Sequence, residues 1–384
     1  MMNKIKKEFA CRGVDKDSLI LEIGPLCFPM YPKSDGYNVE IADYLSGEEL
    51  RQKYKDSIGY DADKIEEVDF VVARHYASSI GKKGYYDVIA ASHLIEHVVD
   101  IIEFINDCST LLKDDGKIKL VIPDKRYEFD YFREEVSIRT VIDNHVYRTK
   151  ANNHSIGTMI DVLLNQVRVK ENGTYVPNSG IYFDKDMTFR WDENNDWLDD
   201  MDSSIKEYSD EKYCDMHSGV FTPKSFEILI YQLNILGYID FKIDEITTEK
   251  NSIEFYVTLK REREKFEGKH LADLHIQHKK EMFESFSNYE ELMKAVLAKK
   301  RLYIYGTGKA SDRIVRFLEL LEVTYEGHIV SNGHKDKEYC HEHKIYELGE
   351  ISQEQNVCVL LGISVQFREE VCRQLEELHI EYIF

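Results

Sequence analysis

Short runs of apolar and β-branched residues alternate with longer amphipathic stretches over the first 125 residues. SLILEIG at 18–24, YNVEIAD at 37–43 and YYDVIAAS at 85–92 read as strands. An amphipathic segment from His93 to Leu112 follows and predicts a helix. Lys113-Asp114-Asp115-Gly116 then makes a turn into KIKLVIP at 117–123, a strand closed by Pro123. Strands alternating with helices in this way imply a parallel sheet with crossover helices.

Residues 130–215 lose that rhythm. The stretch 184–215 holds twelve Asp or Glu against four Lys or Arg, with Trp191 and Trp197 inside it, and reads as an insertion folded over the sheet. FTPKSFEILIYQLNILGY at 221–238 resumes as a helix begun by proline, with Thr222 as its cap. SIEFYVTLKR at 252–261 reads as a strand. From Arg301 a second alternation begins: RLYIYG, a helix from Lys309, EGHIVS, a helix near 347–354, VCVLLG, a helix at 365–378, and IEYIF. The predicted organisation is a first α/β domain over 1–262, with an acidic insertion at about 135–215, and a charged helical connector over 263–298. A smaller doubly wound α/β domain follows over 299–384.

Composition narrows the field. A length of 384 residues gives each half enough chain for its own core. The net charge of −21 argues against a nucleic-acid surface, which needs a basic stripe, although it leaves room for a local basic pocket. No stretch approaches the roughly 18 apolar residues of a membrane span, and the opening MMNKIKKEFACRGV does not read as a signal peptide. The seven cysteines are scattered without CxxC spacing, which suits a reducing compartment. The expectation is a cytoplasmic protein with no membrane or nucleic-acid partner.

The first motif is Leu21-Glu22-Ile23-Gly24-Pro25. Ligands of open α/β sheets bind beyond the carboxyl ends of the strands. Gly24 allows the backbone to approach such a ligand, and Glu22 can accept from the amino group of an amino-acid moiety. Asp43 ends the next strand, where an acid can hold both ribose hydroxyls. A dinucleotide site would need G-x-G-x-x-G, and Gly24 is followed directly by Pro25.

With VDFV at 68–71, DVIAASHLIEHVVD at 87–100, LLKDDGKIKLVIPDKRYEFDYFRE at 111–134 and HSGVFTPKSF at 217–226, the region 15–260 resembles class I S-adenosylmethionine (SAM)-dependent methyltransferases. In particular it is similar to a bacterial subgroup associated with glycan and polysaccharide biosynthesis. The departures are a glycine-rich loop reduced to one glycine and KDDG in the later turn. The resemblance implies a seven-stranded Rossmann-like methyltransferase domain with SAM over its first two strands. Glu22, Gly24 and Pro25 would line the methionine end, Asp43 the ribose and Asp69 the adenine. Ser92 and His93 would face the sulfonium.

His93, Glu96 and His97 stand at i, i+3 and i+4, which places them on one helix face just past a strand end. One reading makes a histidine the general base that removes a hydroxyl proton, oriented by Glu96. A second makes the three a divalent-metal site, since the run is similar to the E-x-x-E-H metal site of small-RNA and ubiquinone-pathway O-methyltransferases. A third has Glu96 and His97 only fix the helix end. Lys125 and Arg126 follow the strand ending at Pro123 and can hold a phosphate or carboxylate of the acceptor, or pair with Asp124, Glu128 or Asp130. His217 enters as an acceptor-binding residue through the resemblance. The acidic stretch 192–202 lacks the order and central glycine of a calcium loop and reads as a solvated lid.

In the C-terminal domain, Gly306-Thr307-Gly308-Lys309 follows a strand and opens a helix, an arrangement that can cradle a phosphate. The domain resembles small Rossmann-like domains attached to bacterial sugar-modifying enzymes. It either binds a nucleotide ligand or serves a structural or homo-oligomerising role. The function expected is methyl transfer from SAM to a hydroxyl of a sugar, nucleotide-sugar or polysaccharide. The rivals are an NAD-dependent nucleotide-sugar oxidoreductase and a non-catalytic SAM- or nucleotide-binding module.

Overall fold

The computed structural model describes residues 4–55, 57, 60–72, 74–147, 154–171, 174–177, 187–189, 215–249, 252–262, 269–284 and 287–383. They fall into two compact units: Met1–Gln166 with Phe189–Lys279, and Val167–Thr188 with Lys280–Phe384. The lid residues 192–202 and both tryptophans lie outside the described residues.

The strands in chain order are β1 (Ile20–Ile23), β2 (Val39–Asp43), β3 (Phe70–Val71), β4 (Tyr86–Ser92) and β5 (Leu112–Pro123). Then come β6 (Val167–Glu171), β7 (Thr174–Pro177), β8 (Met187–Phe189), β9 (Phe241–Thr247) and β10 (Glu254–Arg261). Seven of them form one sheet in the order β3-β2-β1-β4-β5-β10-β9, in which β10 alone runs antiparallel to its neighbours. The four residues of β1 are all buried, as expected of a central parallel strand covered on both faces. Strand β9, FKIDEIT, has only its first residue buried. Its alternating charges at the sheet edge hide it from a reading based on apolar runs.

The segment from His93 to Leu112 is not one helix. Ile95–His97 is a single 3-10 turn, and the α-helix begins only at Ile101. The Asp100 side chain accepts the Glu103 N–H and starts that helix afresh. The Glu96 carbonyl, which a continuous helix would use internally, instead accepts the N–H groups of Ser218 (2.6 Å) and Gly219 (2.9 Å). Residues 113–116 are not a separate turn but part of β5, and the expected break shows as an irregularity in its pairing, where the β4–β5 register jumps from Tyr86↔Leu112 to Val88↔Lys117. Thr222 caps the helix Pro223–Leu236 in a reciprocal pair with Ser225, with Pro223 at its first turn.

The second unit carries a six-stranded sheet. Its strands are β11 (Arg301–Tyr305), β12 (Gly327–Val330), β13 (Tyr339–Cys340), β14 (His343–Glu347), β15 (Val357–Leu361) and β16 (Glu381–Ile383), in the order β13-β14-β12-β11-β15-β16. Every pairing is parallel except β13 with β14. Gly306, at the end of β11, has φ +107°, and an added Cβ would lie 2.5 Å from the Gly362 carbonyl oxygen. Close packing between strand ends therefore accounts for this glycine without a ligand. Among the described residues no helix is long and apolar enough to cross a membrane.

Candidate functional site

The carboxyl ends of β1, β2 and β4 and the opening of the antiparallel β10 meet along one edge of the seven-stranded sheet. Glu254 is in register with Pro123, so β10 brings its first residue to the edge where β5 ends.

At the first strand end, Glu22 is wholly buried and its two oxygens accept from the N–H groups of Met30 (2.6 Å) and Tyr31 (3.0 Å). Burial pushes its pKa up to about 7 against the pull of these bonds. In this structure Glu22 folds the loop after β1 rather than presenting an oxygen to a ligand. Gly24 has φ +65°, which glycine adopts without strain, and its N–H donates to the Ala42 carbonyl. Pro25 is buried beside it. Asp43 ends β2. Its Oδ1 accepts the Tyr44 N–H at 2.8 Å, and burial raises its pKa to about 6. Asp69 lies one residue before β3, level with Ile41 rather than at the strand end. Its Oδ2 already accepts from the Ile41 N–H and the Lys33 ammonium, each at 2.7 Å. The structure therefore does not bring it to the edge with the others.

Past β4, His93 has φ +52°, a left-handed backbone unusual outside glycine. Its N–H donates to the Val121 carbonyl, and its Nε2 lies 2.9 Å from Glu254 Oε2. Tyr256 donates its hydroxyl to the other oxygen of Glu254 at 2.7 Å. Burial opposes charge on His93, but the bond to Glu254 and the charges of Glu96 and Glu254 outweigh it and raise the pKa. Burial likewise opposes charge on Glu254, yet His93 and Lys6 hold its pKa at about 2. The partner that orients His93 is thus Glu254. Glu96 Oε1 is farther from it, at 3.6 Å.

Glu96 is 1 % exposed, and neither side-chain oxygen has a hydrogen-bond partner among the described residues. Its Oε1 lies 3.9 Å from His97 Nε2. His97 Nδ1 contacts the Met216 carbonyl at 3.2 Å; burial first, then the charges of His217 and His154, lower its pKa to about 3. His217 packs edge-on against His97 with ring centroids 4.8 Å apart, and its Nδ1 lies 2.5 Å from Asp130 Oδ2. Asp130 in turn accepts from Arg133 at 3.0 Å. One potential ligand atom from each of Glu96, His97 and His217 lies within 4.8 Å of the others. The metal-type cluster therefore recruits His217, while His93 is drawn away by Glu254.

The two cations of the Asp124-Lys125-Arg126 turn point inward. Arg126 pairs with Asp124 at 2.7 Å, and Lys125 donates to the Arg133 carbonyl. Internal pairing is thus their role in this structure. Glu128, 9 % exposed, is pushed up to about 7 by burial despite the nearby His93 and His217. Sequence reasoning gave no site role to Glu254, Asp130, Glu128 or Lys6. Asp130 and Glu128 lie within the YEFDYFR run and were within reach of it. Glu254 becomes visible only once β10 is known to run antiparallel.

A model of the methyltransferase-domain family matches residues 27–162. No curated protein matches the chain. Among solved structures, a Methanosarcina mazei SAM-dependent methyltransferase is 13 % identical over 68 % of this chain and 99 % of its own, with a TM-score of 0.33. An Aquifex aeolicus SAM-dependent methyltransferase is 15 % identical over 32 % of this chain and 63 % of its own, at 0.24. A Rhodobacter sphaeroides protein assigned as a Zn-dependent alcohol dehydrogenase is 10 % identical over 68 % and 91 %, at 0.36. Scores and identities this low leave the assignment to the match over 27–162 and to the sheet. The matched residues 27–162 lie largely in the first unit, whose seven-stranded sheet has a Rossmann-like strand order.

Proposed function

We propose that this protein transfers the methyl group of SAM to a hydroxyl of a sugar-type acceptor, a small glycan or polysaccharide. The observation that carries the reading is the pair of imidazole–carboxylate contacts, His93–Glu254 and His217–Asp130, set around Glu96 on the carboxyl edge of the methyltransferase sheet. SAM, when bound, supplies an electrophilic methyl group for in-line displacement. The chain's residues fit that cofactor: the left-handed Gly24 opens the turn, and Asp43 ends β2, where its carboxylate would meet the ribose hydroxyls. His93, held by Glu254, is placed to take the acceptor's hydroxyl proton. An uncharged polyol suits this edge, because Glu96, Glu128, Asp130 and Glu254 repel an anion while accepting hydroxyl donors. The sugar class itself rests on the resemblance of residues 111–134 and 217–226.

A divalent metal is a second reading, favoured by the partnerless oxygens of Glu96. Glu96, His97 and His217 would hold the ion, with the Met216 carbonyl and Asp130 orienting the two imidazoles. The ion would supply Lewis acidity toward an acceptor oxygen. A cytoplasmic location is part of the proposal and is supported by six free cysteines among the described residues.

The test is calorimetric titration of the full chain with SAM and separately with NAD, followed by labelled methyl transfer to a panel of sugars and polysaccharides. Micromolar SAM binding and transfer to a polyol are expected. NAD binding in place of SAM would overturn the reading.

A further inference from the structure

The turn that follows β1 presents an aromatic surface beside the candidate site. The Phe28 N–H donates to the Pro25 carbonyl at 2.9 Å, which closes the turn, and Phe28 stands 50 % exposed. Tyr60, 44 % exposed, lies against it with ring centroids 6.2 Å apart, and Tyr54 continues the row at 5.1 Å from Tyr60. Tyr54 packs on a small buried cluster of Cys27, Leu50 and Ile65, and Lys53 Nζ lies 5.2 Å from the centre of its ring. That end of the row is therefore fixed from below, while Phe28 and Tyr60 meet solvent.

A single exposed apolar side chain needs no explanation, but a contiguous row of rings on a soluble domain marks a contact surface. Asp215 joins this row to the histidines. Its Oδ1 lies 3.3 Å from His97 Nδ1, and its charge acts on both Tyr54 and Tyr60. The side chain is 55 % exposed, so the carboxylate stands at the rim between the rings and the His97–His217 pair. The surface thus combines apolar ring faces with a neighbouring acceptor of hydroxyl donors. A pyranose has the matching shape: one face is made of C–H groups, which rest on the electron-rich face of an aromatic ring, and its edge is made of hydroxyls. An anion would be repelled by Asp215, and a wholly apolar ligand would leave that carboxylate without a donor.

We propose that Phe28 and Tyr60 form an acceptor subsite, a stacking platform for the C–H face of a pyranose ring whose hydroxyl edge reaches Asp215 and the histidines beyond it. The inference deepens the reading of the acceptor as a sugar and rests on that reading.

The test is steady-state labelled methyl transfer by the full chain to methyl hexosides and methyl 6-deoxyhexosides, with calorimetry of SAM alongside. Both side chains are half exposed, so truncating them removes little core packing. Phe28→Ala and Tyr60→Ala each raise KM for the accepted glycoside about tenfold, while SAM affinity stays within about twofold. Tyr60→Phe restores the wild-type KM, because the ring face and not the hydroxyl does the stacking. Wild type also prefers the glycoside to the linear alditol of the same configuration, which carries the hydroxyls without a fixed C–H face. An unchanged KM in both alanine variants overturns the proposal, as does equal use of the alditol by wild type. Loss of SAM affinity in step with KM overturns it too, and gives the rings to the adenine of the cofactor. If wild type methylates no glycoside or polysaccharide, the sugar reading itself fails and the platform falls with it.

Discussion

Glu254 meets His93 across 161 residues of sequence, its Oε2 2.9 Å from the histidine Nε2. The contact exists because β10 is inserted antiparallel between β5 and β9. Glu254→Gln keeps the shape and removes the charge. The expected result is a fall in transfer rate of about tenfold to a hundredfold with SAM affinity unchanged. A variant that loses SAM affinity in step with rate would instead place Glu254 at the cofactor.

The same substitution has a pH signature in stability. The Glu254 pKa is depressed to about 2 in the folded chain, so its contribution is present above the ordinary carboxylate value and is lost as pH falls from 4.5 toward 2. His93 keeps 37 % of its side chain exposed, and screening holds the effect of Glu254→Gln to about 1–2 kcal/mol. Urea unfolding should show that gap at pH 6 and a narrowing gap below pH 4.

Asp43 behaves in the opposite sense. Burial raises its pKa to about 6, so the favourable contribution is complete below 3.8 and is lost as pH rises through 6. Asp43→Asn therefore stabilises the ligand-free chain at pH 7.5 by about 1–2 kcal/mol and has little effect at pH 3.5. It weakens SAM binding at the same time, by about tenfold or more. Thermal unfolding and calorimetry on the one variant check both halves; a destabilised Asp43→Asn at neutral pH would show the carboxylate to be better solvated than its burial implies.

For the metal reading, the donor set decides. Full-chain protein expressed with supplemented zinc or manganese should carry about one equivalent by elemental analysis. His217→Ala should lose it and His93→Ala should keep it, because His93 is committed to Glu254. Retention of metal by His217→Ala would return the site to the residues 93–97.

Gly306→Ala probes the second unit alone. With the new Cβ at 2.5 Å from a backbone oxygen and φ at +107°, the cost is about 2–4 kcal/mol. An unfolding transition should move down in temperature while SAM affinity is unchanged. Unchanged stability would mean that the Gly362 strand end shifts freely.

The alternation of strands and helices in both units was legible because covered parallel strands are dense apolar runs, as in ILEI and VCVLL. Gly24, Ser92, His93, Glu96, His97 and His217 were legible as site candidates from strand ends and from the resemblance. What was hidden depended on long-range pairing. Helical spacing pointed to Glu96 as the partner of His93, but the 3-10 turn is already over at His97 and Glu254 arrives from a strand whose direction the pattern does not encode. Lys125 and Arg126 looked available in sequence; only the fold shows Asp124 closing on Arg126 and the Arg133 carbonyl meeting Lys125.

The Glu96 carbonyl receives the Ser218 and Gly219 amides, so the chain that departs near residue 135 is pinned on its return within the candidate site. Two helices on the way, Ile138–Tyr147 and Ile156–Asn165, are tied back to the first unit through His145 to Asp100 and Asp161 to Arg133. The return of His217 to Asp130 is thus set by the backbone bonds at Glu96 together with these two side-chain ties.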